Sequence, residues 1–125
     1  MFELMVTTFF EAAHCLPDYP GKCARLHGHN WTVEVSVGSK TLNKQGMVID
    51  FKVLKQEIAM VTERLDHCYL NELDIWQKNP PTAENIAYYI YRELKGLITV
   101  RDHGISLLYV KVWESQGSAA LYREG

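Results

Sequence analysis

From Trp31 to Val37 every second residue is large and apolar, Trp31, Val33, Val35 and Val37, while Thr32, Glu34 and Ser36 fill the positions between. A period of two belongs to a strand with one face on a core and the other toward water, and it argues against a helix here. The pattern predicts a half-buried strand over Asn30 to Gly38. Phe2 to His14, rich in Val, Thr and Phe, reads as another strand, and the two are expected to pair antiparallel. Between them Leu16 to Leu26 carries Pro17, Pro20 and Gly21 and reads as a loop.

Beyond these strands, Asn43 to Gly46 reads as a turn and Met47 to Ile49 as a short extended piece. Asp50 is a candidate N-cap for a helix to about Arg64, with Phe51, Leu54, Ile58, Val61 and Leu65 on one apolar stripe. A second helix is expected from near Thr82, after Pro80 and Pro81, to about Leu97. Ile86, Ile90, Leu94 and Leu97 form its buried side, Gly96 lies near its end, and Tyr88, Tyr89 and Tyr91 read as packing. Ile105 to Glu114, a turn at Gly117 and Ala119 to Arg123 supply two closing strands.

With 125 residues, 47% hydrophobic and 22% charged, the chain is expected to be one domain over residues 1–125. It is small enough that a substrate cleft is expected to draw on a neighbouring subunit. A net charge of −2 gives no basic field, which excludes nucleic acid as an expected partner. No apolar run reaches the roughly 18 residues of a membrane span, and the N-terminus lacks the pattern of a secretory signal. Three cysteines without framework spacing suit reduced thiols in a cytoplasm.

Candidate chemistry gathers in Cys23-Ala-Arg-Leu-His-Gly-His29. His27 and His29 are two apart, so on an extended backbone both imidazoles leave the same face. His14 ends the preceding strand. Three neutral imidazoles hold Zn²⁺ and leave a fourth position open, the arrangement of a catalytic site. A structural zinc module is the weaker idea: Cys15 follows His14 directly and points the other way, and the cysteines form no Cys-x-x-Cys pair. A zinc hydrolase, in which the metal activates water, stays open. Cys15 and Cys68 read as small packing residues, His103 as a turn residue, and Trp113 as facing away from Glu114.

Six ordered segments carry a resemblance: Phe-Glu-Ala-Ala-His at 10–14, Cys-Ala-Arg-Leu-His-Gly-His at 23–29, Val-Ile-Asp-Phe at 48–51, Leu-Asp-His-Cys-Tyr-Leu-Asn at 65–71, Asn-Pro-Pro-Thr-Ala-Glu-Asn at 79–85 and Val-Trp-Glu-Ser at 112–115. Together they resemble the 6-pyruvoyltetrahydropterin synthase superfamily. The gap between Cys23 and His27 is most similar to its 6-carboxytetrahydropterin branch, which serves queuosine synthesis.

The resemblance implies an α+β tunnelling fold: a four-stranded antiparallel sheet with two helices on one face, assembled into an oligomeric β-barrel, usually a homohexamer of two trimers with sites between subunits. It implies His14, His27 and His29 as Zn²⁺ ligands, Cys23 and His67 as the groups that move protons, Asp66 as the partner of His67, and Glu114 as the anchor of the pterin. Unaided, His67 would read as an ordinary surface histidine. The implied substrate is a pterin triphosphate, 7,8-dihydroneopterin triphosphate, with Lys22, Arg25 and Arg64 as candidate cations for its phosphates. The implied products of the carboxy branch are 6-carboxy-5,6,7,8-tetrahydropterin, acetaldehyde and triphosphate. The pyruvoyl-forming reaction and a pterin- or zinc-binding protein without catalysis stand as alternatives.

Overall fold

The computed structural model describes residues 1–16, 18–21, 25–102 and 104–125, the side chains of residues 99–101 aside. The chain runs β1 (Phe2–His14), β2 (His27–Ser39), α1 (Phe51–Thr62), β3 (Cys68–Tyr69), α2 (Ala83–Arg101), β4 (Ser106–Ser115) and β5 (Ser118–Tyr122), with short 3-10 turns at Leu70–Glu72 and Asp74–Trp76. The sheet order is β3-β1-β2-β4-β5.

β1 and β2 pair antiparallel over their whole lengths, from Phe2 opposite Ser39 to His14 opposite His27. β4 and β5 continue the antiparallel series. β3 departs from the expected four strands: it runs parallel to β1 beside Ala12 and Ala13, so the sheet is five-stranded and mixed. Two residues are too few to show a period, and β3 is held in place by long-range contacts.

Strand parity sorts the faces. Val6 and Phe10, Trp31, Val33, Val35 and Val37, and Val110 and Val112 are all buried, whereas Met5 and Phe9 of β1 stay 53% and 68% exposed on the opposite face. Leu54, Ile58, Val61 and Leu65 from the α1 region and Ile86, Ile90, Leu94 and Ile98 from α2 join that one core. Burying this apolar area contributes roughly 25 cal/mol per Å².

Both helices start where the sequence places them, each on a side-chain cap. The Asp50 side chain accepts the Lys52 N–H at 2.8 Å and Thr82 Oγ1 accepts the Asn85 N–H at 3.1 Å. Three details differ from expectation. Phe51, placed on the buried stripe, is half exposed because it is the first residue of α1. α2 runs through Gly96 to Arg101, since Ile98, four residues after Leu94, extends its buried side. Met47 to Ile49 pairs with no described strand; the Met47 carbonyl instead accepts the Asn43 N–H at 2.8 Å.

Candidate active site

The same parity that buries the valines gathers four ligand-type side chains at one end of the sheet. His14 ends β1 and His27 opens β2 directly opposite it, with His29 one step further on the same face. On β4, Glu114 follows the buried series Val110 and Val112 and therefore faces the same way. One ligand atom from each of His14, His27, His29 and Glu114 lies within 4.8 Å of all the others, and the group could hold a metal ion. Beneath it sits the fully buried Trp31, its ring 4.9 Å from that of His14 and 5.3 Å from that of His29, with Nε1 donating to the Ala12 carbonyl at 3.2 Å.

Two backbone carbonyls orient the histidines. His14 Nδ1 lies 2.8 Å from the Pro81 carbonyl, and His27 Nδ1 lies 2.7 Å from that of Arg25. A carbonyl only accepts, so each Nδ1 carries the proton and each neutral ring presents a bare lone pair at Nε2, as metal-bound imidazoles do. His29 Nε2 is buried without a hydrogen-bond partner, and burial pulls the His29 pKa below its ordinary value, with Glu114 opposing and the charges of His27 and His14 adding to the fall. Lone pairs and a carboxylate oxygen gathered this closely repel one another unless a cation lies among them. The donor set fits a divalent ion.

A second cluster lies at the other side of β1. Asp66 Oδ2 is 3.0 Å from His67 Nδ1, and Glu11 Oε2 is 3.4 Å from His67 Nε2. The backbone is pinned as well: the Glu11 N–H donates to Asp66 Oδ1 at 2.9 Å, and the His67 N–H donates to the Glu11 carbonyl. These contacts accompany a φ of 55° at His67, in the left-handed region that few non-glycine residues enter and that recurs at functional sites. An open cavity of about 640 Å³ is bordered by Glu11, Gly28, His29, Asn30, His67 and Tyr69, so His29 and His67 share one space within a single chain.

Of the other residues singled out in the sequence, Cys23, Lys22 and His103 lie outside the described residues. Arg64 is tied to Glu93 at 2.8 Å and to the Tyr89 hydroxyl at 3.4 Å, while Arg25 lends its carbonyl to His27. Trp113 faces away from Glu114, with Lys111 Nζ 4.5 Å over its ring. Cys15 and Cys68 are free thiols engaged locally: Cys15 Sγ is 3.2 Å from the Tyr69 hydroxyl, and Cys68 Sγ donates to the Asp66 carbonyl at 3.3 Å.

Sequence reasoning missed three supports. Pro81 acts through its carbonyl and Glu11 through backbone and carboxylate, while the Asn71 amide both accepts from and donates to the Cys15 backbone at 2.9 Å. All three stand inside the segments that carried the resemblance, but their partners are distant in the chain.

A model of the protein family described as 6-pyruvoyl tetrahydropterin synthase matches residues 3–125. The chain belongs to the 6-pyruvoyl tetrahydropterin synthase family. Among its curated relatives, the 6-carboxy-5,6,7,8-tetrahydropterin synthase of Synechocystis sp. is 43% identical over 119 residues, covering 90% of this chain and 86% of the relative. A protein of the same name from Bacillus subtilis is 31% identical over 127 residues, covering 98% and 85%. Among solved structures, the 6-pyruvoyl tetrahydropterin synthase of Caenorhabditis elegans superposes with a TM-score of 0.88 at 25% identity, covering 99% of this chain and 96% of that one. This member of the 6-pyruvoyl tetrahydropterin synthase family is an enzyme, a lyase.

Proposed function

We propose that the enzyme is a zinc-dependent 6-carboxytetrahydropterin synthase of queuosine biosynthesis, converting 7,8-dihydroneopterin triphosphate to 6-carboxy-5,6,7,8-tetrahydropterin with release of acetaldehyde and triphosphate. The observation that carries this reading is the convergence of three histidine Nε2 atoms, two with their tautomer set by backbone carbonyls, beside a cavity that His67 also borders. The names of the curated relatives favour the carboxy product over the pyruvoyl one.

His14, His27 and His29 would hold the ion, and once bound it would supply Lewis acidity toward the hydroxyls of the substrate side chain. His67, braced by Asp66, moves a proton at its Nε2, and Cys23 is the second proton carrier. The Glu114 carboxylate accepts the N–H groups of the pterin edge. Arg25, exposed and next to His27, is a candidate for the triphosphate.

Assembly completes the site. The sheet face opposite the helices leaves Phe9 68% and Met5 53% exposed, apolar area suited to a neighbouring subunit in a homohexamer of two trimers. We place the protein in the cytoplasm, in keeping with the free thiols of Cys15 and Cys68; none of the described helices is long and apolar enough to cross a membrane.

The test is product analysis by mass spectrometry with purified protein, Zn²⁺ and 7,8-dihydroneopterin triphosphate. Acetaldehyde and 6-carboxytetrahydropterin in equal amounts support the assignment. Accumulation of 6-pyruvoyltetrahydropterin without acetaldehyde assigns the pyruvoyl reaction instead, and tight binding without turnover marks a binding protein.

A further inference from the structure

Glu114 stands where two requirements meet. On one side its Oε1 lies 3.2 Å from His14 Nε2, 3.0 Å from His29 Nε2 and 3.8 Å from His27 Nε2. Four ligands at about 2.0 Å from a tetrahedral zinc ion are separated by about 3.3 Å, so one carboxylate oxygen sits near ligand spacing from the His14 and His29 nitrogens, with that of His27 wider at 3.8 Å. The close approach to His29 has no hydrogen-bond alignment, and His14 could donate at Nε2 only as an imidazolium, buried as it is with Nδ1 already donating to the Pro81 carbonyl. The His14 contact has hydrogen-bond length, but with neutral rings coordination to a shared cation accounts for both contacts without a second ring proton.

On its other side Glu114 borders an open cavity of about 430 Å³, shared with Ala83 and Glu84 at the start of α2 and Ser118 and Ala119 of β5. Its side chain is 32% exposed while that of His14 is fully buried, so the carboxylate has room to leave the cluster.

We propose that Glu114 is a displaceable fourth ligand, closing the His14–His27–His29 site while no substrate is bound and turning toward the cavity beside β5 when substrate takes its place on the metal. The inference rests on reading the cluster as a metal site. It gives one carboxylate two successive partners, the ion and then the pterin.

The experiment uses the full chain loaded with Zn²⁺ or Co²⁺, with Glu114→Ala and Glu114→Gln compared with the wild type after circular dichroism has shown all three folded. Competition with a chelating dye should give Zn²⁺ binding at least 10-fold weaker in both variants, since loss of groups that merely support ligands already costs about 10- to 100-fold. The visible spectrum of the Co²⁺ protein should respond to azide at much lower concentration in Glu114→Ala than in the wild type, because the position that Glu114 fills is open. Equal Zn²⁺ affinity and an equal azide response would overturn the proposal while leaving the three-histidine site standing. If the wild type binds neither ion, the metal reading itself fails, and this inference with it.

Discussion

Asp66 and His67, neighbours in sequence, form a side-chain pair in which Oδ2 lies 3.0 Å from Nδ1. Hydrogen bonding to Asp66 and then its charge raise the His67 pKa; desolvation opposes them, and the charge of Glu11 adds a lesser rise. The Asp66 pKa falls, first through the Glu11 N–H and then through His67. The His67 contribution is full below about pH 6.5 and is lost as pH rises through its raised folded-state pKa; that of Asp66 is present above about pH 3.9 and is lost as pH falls through its lowered one. Between those limits the pair is intact. In Asp66→Asn the His67 midpoint followed by NMR should move down toward about 6.5, and an unmoved midpoint would show that Asp66 does not set it.

Removing one metal ligand should empty the site. His27→Ala is expected to lower bound divalent ion from about one per chain to a small fraction, measured by elemental analysis after dialysis against the metal. Retained stoichiometry would exclude His27 from the ligand set.

Thr82 links helix capping to the metal site. Its hydroxyl caps α2, and the preceding Pro81 carbonyl holds His14 Nδ1. Thr82→Ala should lower stability by about 1 kcal/mol in a denaturant melt and should also weaken metal binding, because the carbonyl loses its fixed position. A stability loss with unchanged metal affinity would uncouple the two.

Light scattering should return a multiple of three chains, and Phe9→Glu, which puts a charge on the exposed sheet face, should shift the distribution to smaller species. Reassembling inactive Cys23→Ala subunits with inactive His67→Ala subunits should restore partial activity if sites are shared. A wild-type monomer with full activity would contradict the shared-site reading.

Much of this architecture could be read from local pattern. The alternation from Trp31 to Val37, the run from Phe2 to His14 and the cap at Asp50 each carry their own signal within a few residues, and the structure places elements at all three. The two-residue spacing of His27 and His29 likewise shows that they share a face. The position of Glu114 in the histidine cluster could not be read this way. Parity gives its face, but its neighbours depend on β4 lying beside β2, which no local pattern states. β3, the Pro81 carbonyl and the Glu11 clamp on His67 are also long-range, and two of the three act through backbone atoms whose roles do not depend on side-chain identity.

Because the cluster is assembled by which way successive side chains point, its survival depends on counting. One residue inserted or deleted between His29 and Trp31 sends His27 and His29 to the outer face while Trp31 and the valines keep theirs, and a change of two restores the facing but moves the pair about 6.6 Å along the strand. Length variation here is therefore quantised. Odd changes abolish the ligand set while leaving the sheet its core, so deletion of Asn30 would yield a folded chain that keeps every histidine and is blind to metal, a control that point substitution of the histidines cannot supply.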